Sequence, residues 1–140
     1  MMRFFFCLFF LSSIIGCKNK DESDTKSKVI INPNPTSEMA QQMRDMTLDL
    51  ERIKSKLENN ELLGKDLLNF KLIHKQKVTD ISFNKIHIEP MSKSFAFSVD
   101  EFNKEPNIKN YSIIINNCIS CHNLSCQGPL EKINKLRITP

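Results

Sequence analysis

From residue 39 onward the apolar positions fall at Met39, Met43, Met46, Leu50, Ile53 and Leu57, in steps of 4, 3, 4, 3 and 4. That spacing keeps them on one face of an α-helix of about six turns. Thr36 or Ser37 supplies its N-cap, and Glu38 places an acid in the first turn. A second helical period follows in "NELLGKDLLNFKLIHKQKV", where Leu63, Leu67, Phe70 and either Ile73 or His74 share a side, although Gly64 weakens its start. "DISFNKIHIEP" is β-branched and partly alternating. A lone strand would lack a partner, so this stretch is expected to be an extended crossing loop. Pro90 suits the first turn of a third helix with Met91, Phe95, Val99 and Phe102 inward. Pro106 opens a fourth, whose seam Ile108, Tyr111, Ile115, Cys118 and His122 steps 3, 4, 3, 4. Gly128-Pro129 stops that helix or a short extension of it. In the tail "LEKINKLRI", Leu130, Ile133 and Leu136 are expected to pack along the helices. Four amphipathic helices on short connections predict an all-α fold, an antiparallel four-helix bundle.

The start of the chain follows a different pattern. Arg3 precedes an unbroken apolar run from Phe4 to Leu11, then small or apolar residues to Gly16. That is the layout of a secretory signal, and the run is shorter than the roughly 20 residues of a membrane span. Ile14-Ile15-Gly16-Cys17 resembles the lipobox of bacterial lipoproteins. The resemblance implies cleavage after residue 16 and a lipid on Cys17, hence a chain anchored in the cell envelope. The stretch "KNKDESDTKSKVIINPNPTS" is polar, then rich in Pro and Asn, and reads as a disordered tether. A lysine and two acids soon after Cys17 also resemble surface-export signals of some Bacteroidetes lipoproteins, but a plain solvated tether accounts for them better. The expected organisation is a signal peptide over 1–16, a lipidated tether over 17–35 and one helical domain over 36–140.

Composition removes some functions from consideration. The formal charge is +4, and losing Arg3 with the signal leaves +3, from nineteen basic and sixteen acidic residues. Bases and acids interleave without an aromatic-spaced basic patch, so nucleic acid is not an expected partner. The chain has three glycines, one of them in the signal, which disfavours a turn-rich β fold. Cys7 leaves with the signal and Cys17 carries the lipid, so the domain keeps Cys118, Cys121 and Cys126. In an oxidising envelope such thiols are expected to have a covalent or metal fate.

Cys118-Ile119-Ser120-Cys121-His122 is a C-x-x-C-H motif, the pattern of c-type haem attachment. On a helix, residues i and i+3 share a face, so Cys118 and Cys121 can both form thioethers to one haem edge. His122, four residues after Cys118, can reach the iron. Two other chemistries use such residues. A Cys118–Cys121 redox disulfide lacks the βαβ pattern of a thioredoxin-like fold. Zinc could draw on Cys118, Cys121, His122 and Cys126, although adjacent Cys121 and His122 are awkward around one tetrahedral ion.

Only 18 residues follow His122 and none is Met. With the motif on a final helix, residues 37–126 resemble the class II c-type cytochromes, the cytochrome c-prime family of four-helix bundles. "SEMAQQMRDMTLDLERIKSKL" and "CISCHNLSCQGPLEKINKL" also look like a group of Bacteroidetes cytochrome lipoproteins. The chain departs from both at Ser125, where they usually carry Phe. The resemblance implies covalent haem c with His122 as proximal ligand, redox partner proteins, and a tendency to dimerise. It leaves two states for the sixth iron position: open to NO or CO, or filled by a methionine. The series Met39, Met43, Met46, Leu50, Ile53 is similar to the first helix of the periplasmic four-helix b-type cytochrome, which makes Met43 the expected distal ligand, with Met39 or Met46 as alternatives. His74 or His87 would instead give a bis-His site. The expected function is a lipid-anchored monohaem electron carrier and not an enzyme. The alternatives are a five-coordinate NO- or CO-binding protein and a zinc-stabilised or haem-free structural lipoprotein. Cys126 stands apart, as a partly buried free thiol or an intermolecular disulfide.

Overall fold

The computed structural model describes residues 35–64 and 67–139. The signal, Cys17 and all but the last residue of the expected tether lie outside them. Among the described residues the fold is all-α, with no strand and no helix long and apolar enough to cross a membrane. The elements are α1 (Glu38–Glu58), α2 (Ile88–Lys104), α3 (Ile108–Ser125) and the short α4 (Leu130–Asn134).

Helix α1 forms as its pattern dictates. Ser37, the cap, accepts from the Ala40 N–H at 3.2 Å. Met46, Leu50 and Ile53 are buried, and Met39, Met43 and Leu57 pack against the same core. The helix ends in a Schellman turn: Asn60 adopts φ 54°, its N–H donates to Leu57 O, and the Glu61 N–H donates to Lys56 O at 2.8 Å.

That stop corrects the expected second helix. The described residues of this stretch, 59–64 and 67–78, are not helical apart from the 3-10 turn Ile73–Lys75. Gly64 lies at φ 58°, a left-handed conformation outside the helix. Leu67, one of the leucines of the expected amphipathic face, is exposed. Beyond Leu67 the segment runs as a strap whose backbone groups are met by groups of α1 and α2. Asn103 donates to Leu68 O at 2.7 Å and accepts from the Leu68 N–H at 2.9 Å. Gln42 donates to Lys71 O, and the Met39 N–H donates to Lys77 O at 3.0 Å. Contacts with α1 and α2 outweigh the local helical preference of this stretch. The crossing stretch contains a 3-10 turn, Ile81–Phe83, capped by Asp80.

Helices α2 and α3 are joined by residues 105–107, with Asn107 capping α3 through the Asn110 N–H at 2.8 Å. Ser94 meets Asn117, and Asn110 meets the Glu101 carbonyl, between the two helices. Phe95, Val99 and Phe102 are buried as expected, together with Tyr111 and Ile115. Ile108 is exposed because it opens its helix beyond the core, and Ile114 is buried although it lies off the expected seam. The tail packs as its pattern suggests, burying Ile133 and Leu136. The fully buried Tyr111 ties three parts together, its hydroxyl lying 3.1 Å from Leu50 O and 3.0 Å from Leu136 O.

Candidate cofactor site

One cavity of about 360 Å³ lies among the helices, within the range of small-molecule and cofactor sites. Helix α3 contributes Cys118, Cys121 and His122 to its lining, and α1 contributes Met39, Met43, Met46 and Leu50. Ile73 and Val78 of the strap, Phe83 of the crossing stretch, Ile88, Met91 and Phe95 of α2, and Ile133 and Leu136 of the tail complete a mainly apolar wall. Arg44 and Lys132 are the charged residues of the lining. Every attachment and iron-ligand residue expected from the sequence therefore meets in one space, including all three methionines.

The histidine is oriented. His122 Nδ1 lies 2.9 Å from the carbonyl oxygen of Cys126. A carbonyl only accepts, so in the neutral ring Nδ1 carries the proton and Nε2 keeps its lone pair, the tautomer of a ligating imidazole. The same turn is closed by the Cys126 N–H, which donates to His122 O at 3.0 Å. All three thiols are free. Burial, with the neighbouring Cys121 adding to it, pushes the Cys118 thiol up to about 12. Burial also raises Cys121, against a lowering hydrogen bond with Ser125. Both are held as neutral thiols in an apolar setting.

The methionines differ. Met46 is buried in the core, and Gln42 Nε2 points at its sulfur from 4.0 Å. Met39 and Met43 are only partly buried, and the Met43 carbonyl accepts from Thr47 at 2.8 Å, one turn along the cavity wall. The other two histidines are not part of the cavity lining. His74 Nδ1 pairs with the Ser92 hydroxyl at 3.0 Å, and His87 Nε2 pairs with the Ser125 hydroxyl at 2.7 Å. Among the described residues no group of three His, Cys, Asp or Glu side chains is placed to share a metal ion.

Sequence reasoning missed the strap wall and the His87–Ser125 pair. The first was hidden by a false helical period. The second joins residues 38 apart in the chain and left no local signal. Compared with known proteins, the chain matches no family model, no curated sequence and no solved structure.

Proposed function

We propose that the chain is a monohaem c-type cytochrome that carries single electrons within the cell envelope, anchored through lipid on Cys17. The observation that supports this best is the shared cavity, in which Cys118, Cys121 and His122 of α3 and Met43 of α1 line one apolar space. The residues fit the group: two thiols at i and i+3 for the thioethers, an imidazole with Nε2 free, and a methionine sulfur on a second helix. Haem c, when bound, supplies an iron that changes charge by one electron. The rest falls to the chain. The Cys126 carbonyl fixes the ring of His122 and raises the basicity of Nε2. A Met43 thioether raises the reduction potential relative to two nitrogen ligands. The apolar wall of Ile73, Val78 and Phe95 limits solvent access, which also tunes the potential.

On this reading the protein is a carrier and not an enzyme, and its partners are redox proteins of the envelope. Its helices form an antiparallel bundle of the class II cytochrome kind, with the strap and α4 beside three long helices. The test is to express the chain with haem-attachment machinery, then record its intact mass and reduced spectrum with and without CO. Expected are one covalent haem and a low-spin spectrum that CO leaves unchanged. A high-spin ferrous spectrum with rapid CO binding would replace electron transfer with the five-coordinate, gas-binding alternative. No covalent haem, with zinc in a metal assay, would sink both readings.

A further inference from the structure

Residues 85–87 make two contacts that their own helix does not require. His87 is the N-cap of α2, a position where a short polar side chain usually bonds its own helix, yet its side chain makes no cap bond. Its Nε2 lies instead 2.7 Å from Oγ of Ser125, in the last turn of α3. Two residues earlier, Lys85 Nζ donates to the Leu124 carbonyl at 3.2 Å. An ammonium on the last carbonyls of a helix is favourable as a hydrogen bond and against the helix dipole. Both side chains thus grip one turn, the turn that carries Cys121 and His122. Beyond it Gln127, Gly128 and Pro129 are exposed. The grip itself is anchored, because Ile88, next to His87, is buried.

We infer that His87 and Lys85 are positioning residues for His122. By holding Leu124 and Ser125 they fix the last turn of α3, keep the Cys126 carbonyl on Nδ1 of His122, and so keep Nε2 available. The purpose of this clamp rests on the haem reading, but its measurement does not. The hydrogen bonds at His122 are present in the chain without haem, and only three histidines need assigning.

The test uses nitrogen-15 spectra of the haem-free chain at about pH 8.5, where ordinary imidazoles are neutral. In the wild type, His122 is expected to be protonated on Nδ1. In His87→Ala and in Ser125→Ala the Nδ1–H fraction should fall, and exchange of the Cys126 amide should quicken about five- to tenfold, the loss of one ordinary hydrogen bond. His87→Gln, whose amide reaches about as far as Nε2, should restore both. Ser125 also bonds the Cys121 thiol, so the double variant should be no worse than Ser125→Ala alone, in which the His87 bond is already lost. Lys85→Ala should quicken exchange in the same turn. If His87→Ala does not fold, Ser125→Ala and Lys85→Ala read the same quantities. An unchanged His122 tautomer in a folded variant, or additive effects in the double variant, would overturn the clamp. With haem attached, His87→Ala should also shift the midpoint potential while His87→Gln leaves it in place, and equal potentials would count against the proposal. If the wild type takes up no haem, the haem reading falls while the tautomer measurement still decides the clamp.

Discussion

Cys118 shows what one position gains from its surroundings. Its thiol, pushed to about 12, leaves about one molecule in ten thousand as thiolate at about pH 8. Iodoacetamide should therefore label Cys118 of the haem-free protein far more slowly than an unfolded control, read by peptide mass. Ser37 is a simpler case. Its hydroxyl accepts the Ala40 N–H, so Ser37→Ala should cost about 1 kcal/mol in a denaturant titration. At Met43 the prediction is functional. In the haem-loaded protein Met43→Ala should open the sixth iron position and convert a low-spin spectrum to one that responds to CO. An unchanged spectrum would pass the ligand role to Met39, since Gln42 already points at the Met46 sulfur.

Among the elements, the strap is the instructive one. Its sequence carries a helical period, yet its backbone is satisfied by Asn103, Gln42 and other groups distant in the chain. Asn103 bonds both backbone groups of Leu68, a residue that is only 3% exposed. Asn103→Ala leaves a donor and an acceptor without partners and should cost about 2 kcal/mol or more, measured by urea unfolding. Helix α1 was legible because local spacing, cap and core face agree in it. The strap was not legible, because its partners lie 29 and 35 residues away in the chain. The C-x-x-C-H face of α3 was readable from spacing alone, but the grip of His87 on Ser125 spans 38 residues and leaves no periodic trace.

In the molecule as a whole, the core closes around Tyr111, whose hydroxyl sits between the carbonyls of Leu50 and Leu136. Tyr111→Phe leaves those carbonyls short of a donor and should cost about 1–3 kcal/mol, with the tail losing amide protection first. Burial also gives the haem-free fold an alkaline limit. Cys118 is raised from 9.0 to about 12, and burial raises the Tyr111 phenol above its ordinary 10.0. The unfolded chain releases these protons first. Above about pH 9 it therefore binds fewer protons than the folded chain, and stability falls as pH rises. Below that range the contribution is fully present. The urea midpoint should drop between about pH 8 and about pH 11, and less in Cys118→Ala.

The sequence by itself determined the three long helices, the cap of α1, most of their inward faces, and the placement of Cys118, Cys121 and His122 on one helix. Each of these follows from neighbours within a turn or two, where spacing alone decides which side chains meet. Tertiary structure alone decided that residues 67–78 form a strap, and that all three methionines share a cavity with His122. It also decided that His87 and Lys85 grip the end of α3. Those outcomes depend on which distant groups satisfy a buried backbone or fill an apolar space, and no local period records them.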